Sequence, residues 1–157
     1  MLNLPPNLHQ HINEHGQTGY PDEICGFLVG TQGDEEKTVT RLVPIENTWD
    51  EAGASEFAEA GADFARASRR RRFMIPAGEY YKADRDAREQ SESILGFYHS
   101  HPDHPARPSE YDLALAREVF PGYSYIIVSV RSGTAGEMTS WVLRDDGSRF
   151  DAEEIRG

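Results

Sequence analysis

The chain has 157 residues, a formal net charge of −11 and a single cysteine. This length suits one domain over residues 1–157, and the acidic charge argues against binding to nucleic acid or to an anionic membrane. One cysteine excludes an intramolecular disulfide, and no signal peptide or long apolar span is visible, so we expect a cytoplasmic protein.

The first part of the chain predicts one helix and two strands. Residues 5–15 have an amphipathic pattern, and Gly16 is expected to end this helix. The apolar runs ICGFLVG (24–30) and KTVTRLVPI (37–45) flank the turn-forming segment TQGDEE. We expect the two runs to pair as antiparallel strands.

The composition changes after this pair. Residues 50–70 are rich in Ala, Gly, Glu and Arg and contain few bulky apolar residues, which predicts a surface insertion. The arginine run at 69–72 could bind an acidic partner, but such a run is more often a solvated face.

The second part of the chain predicts alternating strands and helices. The expected elements are a strand at 72–75, a helix at 76–92, strands at 93–101 and 123–130 separated by a helix at 109–120, and final strands at 138–144 and 148–150. In the helix at 76–92, Tyr80, Ala83 and Ala87 should lie on one side. Alternation of this kind, with hairpins at the end, predicts an α/β fold.

The segment HSHPDHPARPSEYD, which begins at His99, follows the most apolar strand. Because side chains alternate along a strand, Leu95, Phe97, His99 and His101 are predicted to share one face. A proline-rich loop then leads to Asp112 in the first turn of a helix. Two imidazoles and one carboxylate make up a three-ligand set that a catalytic zinc ion can use, with a fourth position open.

Each half of this segment also has a simpler interpretation. Ser109 and Asp112 fit a helix capping box, in which each side chain accepts a backbone N–H. A His-x-His pair alone is often two surface residues. The combination of both histidines with a nearby aspartate favours the metal site.

The spacing of these residues resembles a known signature. HSHP, six further residues and SEYD are similar to the His-Ser/Thr-His-Pro-x6-Ser-x-x-Asp motif of the JAMM (MPN-plus) zinc metallopeptidases. YPDEICGFLVG resembles the first-strand segment of that family, with Glu23 in the position of its glutamate. The resemblance covers about residues 4–145 and is greatest to the small prokaryotic branch with cysteine-releasing, Mec-type enzymes. The insertion at 50–70 departs from that branch.

The resemblance implies a curved mixed β-sheet flanked by helices, related to the cytidine-deaminase-like fold. It implies that His99, His101 and Asp112 bind Zn²⁺, which lowers the pKa of its water from about 15.7 to about 7. Glu23 would hold that water and move its proton, and Ser109 would donate a hydrogen bond to the oxyanion.

The implied reaction is hydrolysis of a peptide or isopeptide bond at the C-terminal Gly-Gly tail of a ubiquitin-like or sulfur-carrier protein. Within this chemistry the resemblance favours release of cysteine. One alternative is a deconjugating or protein-processing peptidase without a link to cysteine synthesis. The other is a non-catalytic MPN scaffold, whose members typically lack the metal ligands.

Three further features suggest chemistry but favour structural interpretations. HINEH (11–15) matches an inverted zincin motif, yet a surface helix end with histidines near its negative pole explains it better. His104 is expected to face solvent or substrate rather than a metal. Cys25 begins an apolar strand, so we expect a buried packing residue rather than a nucleophile.

Overall fold

The computed structural model describes residues 1–45, 77–117 and 122–157. The expected insertion at 50–70, the arginine run and the strand at 72–75 lie outside the described residues, as does the end of the helix expected at 109–120.

Three helices and eight strands make up the described part of the chain. In order they are β1 (Leu2–Asn3), α1 (Pro6–Gly19), β2 (Cys25–Gln32), β3 (Lys37–Ile45), α2 (Ala77–Glu89), β4 (Ser93–Pro102), α3 (Glu110–Arg117), β5 (Ser124–Arg131), β6 (Thr134–Leu143), β7 (Phe150–Glu153) and β8 (Ile155–Arg156).

All eight strands belong to one mixed sheet with the order β7-β6-β5-β4-β2-β3-β1-β8. The expected antiparallel pairing of β2 with β3 is confirmed, whereas β4 and β5 run parallel. β7 and β8 are separated by Glu154 alone, although they lie at opposite edges of the sheet. One short stretch of chain therefore bridges both edges, which requires strong curvature and agrees with the curved mixed sheet that we expected.

Helix α1 covers one face of the sheet and is longer than its sequence predicts. The prediction that Gly16 ends the helix is wrong, because α1 continues to Gly19. Gly16 is buried, and a Cβ atom built on it would lie 3.0 Å from Cγ2 of Val130 in β5. The glycine lets the helix approach the sheet closely, and this close packing outweighs its weak helix propensity.

Helices α2 and α3 cover the opposite face. Ala83 and Ala87 of α2 are buried there with Phe27 and Phe97, and Tyr80 packs against the same cluster. The predicted inner side of α2 is therefore confirmed. Ala116 of α3 joins this cluster, so the metal motif and its helix lie on the α2 side of the sheet.

Strand β4 does not keep a regular alternation. Its register with β2 shifts between the pairs Leu28–Gly96 and Val29–Ile94. As a result Leu95 packs into the α1 cluster while Phe97 packs into the α2 cluster. The prediction that Leu95 shares the face of the histidines is wrong, because a bulge rotates the chain there.

Two of the strands were not expected from the sequence. β1 and β8 have two residues each and pair in parallel with one another, too short to show an alternating pattern. Within the described ranges, no helix is both long enough and apolar enough to cross a membrane.

Candidate metal centre

The two histidines lie at the end of β4, inside the protein. His99 is 1 % exposed and His101 is 7 % exposed. Ser100 between them turns to the other side, where its Oγ accepts the Ile24 N–H at 2.9 Å. The Ser100 N–H donates to the Ile24 carbonyl at 3.1 Å, so this end of β4 is fixed against the segment that enters β2.

The start of α3 is capped as the simpler interpretation predicts. The Asp112 N–H donates to Ser109 Oγ at 3.1 Å, and the Ser109 N–H donates to Asp112 Oδ2 at 2.8 Å. This cap also fixes the direction of the Asp112 carboxylate, which is 6 % exposed. The capping box and the metal-ligand interpretation are thus compatible, since one carboxylate can serve both.

The three candidate ligands meet at short range. Nε2 of His99 lies 3.1 Å from Nε2 of His101 and 3.2 Å from Oδ1 of Asp112. Nε2 of His101 lies 3.1 Å from Oδ2 of Asp112. Within the described residues, these three form the one group of three His, Cys, Asp or Glu side chains that could hold a metal ion.

The chemistry and spacing of this group fit a tetrahedral cation such as zinc. Zinc takes imidazole nitrogen and carboxylate oxygen at about 2.0–2.2 Å, which places ligand atoms of a tetrahedron about 3.3 Å apart. The observed separations of 3.1–3.2 Å are close to that value. With three protein ligands, a fourth position remains for a water molecule or a substrate.

The orientation of His101 is fixed by the following loop. Its Nδ1 lies 2.9 Å from the Pro105 carbonyl oxygen. A carbonyl can only accept, so Nδ1 must carry the proton and Nε2 presents a lone pair toward Asp112 when the ring is neutral. A hydrogen bond of this kind commonly orients a metal-binding histidine.

The pKa values of the three groups follow from burial and proximity. Burial lowers the pKa of His99 and outweighs the opposing charge of Asp112. Burial also acts to lower the pKa of His101, but the hydrogen bond and charge of Asp112 prevail and raise it. Burial would raise the pKa of the Asp112 carboxyl, yet the facing histidines hold it below its usual range. An ionised Asp112 beside a neutral His99 provides the ligand forms that a cation requires.

Glu23 lies beside this group, at the entrance of β2. Cys25 pairs with His99 across β2 and β4, and the pairing continues through Ile24 and Ser100. By alternation, Glu23 lies on the face of Cys25 and next to His101. Its side chain is 4 % exposed, so Glu23 is a buried carboxylate.

The remaining candidates do not join the three-residue group within the part of the chain that the structure describes. Cys25 is fully buried, and burial together with the charge of Glu23 raises the pKa of its thiol to about 12, which makes it a packing residue. His104 and Ser109 are exposed, and His104 is not part of the metal-binding group. His11 is exposed, whereas His15 is half-buried and lies 2.9 Å from Tyr98 Oη, so HINEH forms no second metal-binding group within the described residues. The expectation of a surface helix end is wrong for His15, because α1 continues to Gly19.

Sequence reasoning missed the roles of Ser100 and of the Pro105 carbonyl. A serine inside an otherwise apolar strand was a usable signal for Ser100, because a buried hydroxyl needs a partner. The Pro105 carbonyl gave no such signal, since a backbone group carries no sequence information.

Comparison with known proteins gives a consistent result. The family model described as prokaryotic homologs of the JAB domain matches residues 5–144. The CysO-cysteine peptidase of Mycobacterium tuberculosis is 30 % identical over 131 residues, which cover 83 % of this chain and 75 % of that protein. The desampylase of Haloferax volcanii is 28 % identical over 132 residues, covering 82 % and 80 % of the two chains.

Solved structures agree with this assignment. A solution structure of a protein from Salinibacter ruber is similar with a TM-score of 0.69 and 40 % identity, covering 99 % of this chain and 90 % of the other. A JAB1/MPN domain protein from Archaeoglobus fulgidus shares the fold with a TM-score of 0.55 at 17 % identity, covering 99 % and 94 %. The chain is therefore a JAMM-type hydrolase and belongs to the family of prokaryotic homologs of the JAB domain.

Proposed function

We propose that the chain is a zinc-dependent peptidase that removes a C-terminal cysteine from a ubiquitin-like sulfur-carrier protein ending in Gly-Gly. The observation that carries the proposal is the buried group of His99, His101 and Asp112, whose ligand atoms lie 3.1–3.2 Å apart. The group lies at the end of β4, and Ser109, which caps the helix of Asp112, is exposed.

His99, His101 and Asp112 would hold the zinc ion. When bound, zinc acts as a Lewis acid that polarises the scissile carbonyl and makes hydroxide available near neutral pH. The chain contributes a fixed ligand geometry, because Pro105 orients His101 and the α3 cap orients Asp112.

Glu23 would act as the general base and acid. It is a buried carboxylate on the same face as the ligands but outside the ligand group. In this role it takes a proton from the attacking water and passes it to the leaving amine as the C–N bond breaks. The carrier then ends in a free carboxylate, and the departing group leaves as an amine.

Ser109 would stabilise the oxyanion. Its Oγ accepts the Asp112 N–H, so the hydroxyl proton remains available for an acceptor outside the helix. The residue is exposed, which allows a substrate oxygen to reach it. A donor aimed at a developing oxyanion contributes roughly 3 kcal/mol in related acyl chemistry.

The substrate class rests on the relatives. Similarity to the CysO-cysteine peptidase supports a carrier protein with a C-terminal cysteine. Similarity to the desampylase supports a second candidate, a deconjugating peptidase that cleaves isopeptide bonds to ubiquitin-like proteins. Both candidates use the same chemistry and differ in the leaving group. Either carrier would be met in the cytoplasm, where we propose that the enzyme acts.

Matched carriers separate these candidates. A Gly-Gly-ended sulfur carrier is prepared with a C-terminal cysteine, with a short peptide extension, or joined by an isopeptide bond to a lysine side chain. Mass spectrometry before and after incubation should show rapid loss of cysteine and slow change in the other two. Preferred cleavage of the isopeptide would support the deconjugating peptidase instead.

The same assay tests the scaffold alternative. Protein that binds a carrier tightly without zinc, and cleaves none of the three substrates after zinc is added, would support a non-catalytic role.

A further inference from the structure

The loop between β4 and α3 presents three consecutive backbone carbonyls, each bound by a different side chain. Ser129 Oγ donates to the His104 carbonyl at 2.6 Å, and Thr139 Oγ1 donates to the Ala106 carbonyl at 2.6 Å. Between them, the Pro105 carbonyl accepts Nδ1–H of His101 at 2.9 Å. The two hydroxyls therefore hold the peptide units on both sides of the carbonyl that orients a metal-ligand candidate.

The loop has few means of holding this position by itself. Pro102, Pro105 and Pro108 carry no N–H and cannot donate backbone hydrogen bonds. Besides His101, the Pro105 carbonyl accepts the Arg107 N–H at 2.8 Å, a contact within the loop that does not fix the loop to the sheet. The Asp103 N–H donates to the Val130 carbonyl of β5 at 2.7 Å and fixes the start of the loop. The hydroxyls of Ser129 and Thr139 attach the peptide units on either side of Pro105.

Both hydroxyls come from strands whose positions are fixed relative to the histidines. Ser129 of β5 pairs directly with His101 of β4. Thr139 of β6 pairs with Ile127 of β5, which in turn pairs with His99. The loop is thus attached to residues that pair in register with the two ligand candidates, directly for His101 and through Ile127 for His99.

The hydroxyl of Thr139 has a defined direction. Its Oγ1 accepts the indole N–H of Trp141 at 2.8 Å and lies 2.6 Å from the Ala106 carbonyl. Because the carbonyl can only accept, the hydroxyl proton points to Ala106. Ser129 is 3 % exposed, so little water is present to replace its hydrogen bond.

We propose that Ser129 and Thr139 are positioning residues for His101. Their hydrogen bonds fix the loop and thereby the Pro105 carbonyl. That carbonyl accepts Nδ1–H of His101, so Nε2 of the same ring is directed at the metal ion. Neither residue touches substrate or metal in this role. The proposal rests on the metal site described under the proposed function, but the hydrogen bond from Nδ1–H of His101 to the Pro105 carbonyl exists without metal.

The test compares hydroxyl-deleting variants with matched controls. Thr139→Val removes the hydroxyl at nearly constant volume, Thr139→Ser retains it, and Ser129→Ala removes the other attachment. Ser140→Ala is the control, because its buried hydroxyl lies on the same strand but donates to Glu153 at 2.8 Å, away from the loop. Two quantities are measured: the Zn²⁺ dissociation constant by chelator competition, and the solvent exchange rate of the His101 Nδ1–H proton in the metal-free protein by NMR.

We expect Thr139→Val and Ser129→Ala each to weaken Zn²⁺ binding about tenfold, and the double variant to approach a hundredfold, as loss of an outer-shell partner does. In the metal-free deletion variants, the Nδ1–H proton of His101 should exchange with solvent faster than in the wild type, because its Pro105 acceptor is no longer held in place. Thr139→Ser and Ser140→Ala should stay within about twofold of the wild type, even where Ser140→Ala lowers the melting temperature.

Wild-type zinc affinity and an unchanged exchange rate of the His101 Nδ1–H proton in both deletion variants would overturn the proposal. The proposal would also be overturned if Ser140→Ala lost as much zinc affinity, because the loss would then reflect a general decrease in stability. If the wild type binds no zinc, the proposed function fails, and the exchange rate of the His101 Nδ1–H proton still decides the positioning role. If Thr139→Val does not fold, Ser129→Ala tests the same carbonyl set.

Discussion

Two groups of buried polar side chains lie in different parts of this sheet, and they are satisfied in different ways. Where β7 and β8 bridge the edges, Lys37 donates to Ser124 Oγ at 2.8 Å, and Ser124 and Ser140 donate to Glu153 Oε1 at 2.7 and 2.8 Å. We call these four residues the closure cluster. Each of these contacts joins a donor to an acceptor.

The metal centre lacks this balance. With the proton of His101 held on Nδ1 by Pro105, the Nε2 lone pair of the neutral ring faces the Asp112 carboxylate at 3.1 Å. Two acceptors directed at each other in a buried place repel unless a cation or a proton lies between them. The comparison teaches that burial alone does not identify a site, whereas buried acceptors that converge on one point do.

The largest expected effect comes from removing a ligand. His101→Ala should abolish both zinc binding and turnover, because two remaining ligands do not hold a catalytic ion. Zinc content by mass spectrometry and carrier cleavage are measured together. The matched control is His104→Ala. His104 is exposed on the loop after β4, so this variant should retain zinc. A zinc-loaded, active His101→Ala protein would remove the basis of the site.

Replacing the proposed base should separate chemistry from metal binding. Glu23→Gln preserves the shape of the side chain but cannot accept a proton, so we expect kcat to fall by roughly 10²–10⁴ while zinc stays bound. The exposed Glu79→Gln is the control. If Glu23→Gln cleaves at the wild-type rate, another group moves the proton.

Removing the oxyanion donor should reduce kcat by about 10²–10³ with zinc retained. Ser109→Gly is the suitable change, because glycine at a helix N-cap lowers stability by only a few tenths of a kcal/mol. Ser109→Thr keeps a hydroxyl and should recover most of the rate. Equal rates for the Gly and Thr variants would argue against the role of the hydroxyl.

Changes in the closure cluster should lower stability without affecting zinc binding or turnover. Burial lowers the pKa of Lys37, and the charge of Glu153 partly offsets that effect. Lys37→Met removes the hydrogen bond to Ser124 Oγ and one of two cations near Glu153, since the N-terminal ammonium lies 3.8 Å from Glu153 Oε2. It should lower the free energy of unfolding by roughly 1.5–3 kcal/mol, measured by chemical denaturation. Zinc content and turnover of the folded protein should not change. Lys82→Met, at the exposed lysine of α2, is the control, and loss of zinc in Lys37→Met would contradict the distinction between the two clusters.

The smallest expected effect concerns His15, a half-buried histidine outside both clusters. Burial lowers the pKa of His15 from its ordinary value of 6.5. The unfolded chain therefore binds a proton at His15 more readily than the folded chain does. The stability that neutral His15 contributes is present above pH 6.5 and is lost as the pH falls toward the folded-state pKa. His15→Gln should flatten stability against pH in that window, and His11→Gln on the exposed side of α1 should leave the slope as it is. A wild-type slope in His15→Gln would show that other groups cause it.

The sequence predicted the elements whose patterns are local. Lys37–Ile45 was predicted with its observed bounds, and the strand of the two histidines was predicted to within one residue. The convergence of His99, His101 and Asp112 was also accessible, because strand alternation and a short proline-rich loop constrain it strongly.

Long-range packing explains what was missed. In the sequence, Gly16 is typical of a helix end, but in the structure it packs against β5. The bulge at Leu95 arises from the register of β4 with β2. The parallel pairing of β1 with β8 joins residues from both ends of the chain, for which two-residue strands give no pattern. Burial of Glu23 likewise depends on strands that are distant in sequence.

The central claim is that His99, His101 and Asp112 hold a metal ion that catalysis requires. The most direct test is the zinc content of the purified wild-type protein, followed through chelation and re-addition while carrier cleavage is recorded. We predict about one zinc per chain, as a three-ligand catalytic site binds one ion, with cleavage lost on chelation and restored by zinc. A protein that cleaves its carrier at full rate after complete removal of metal would contradict the account.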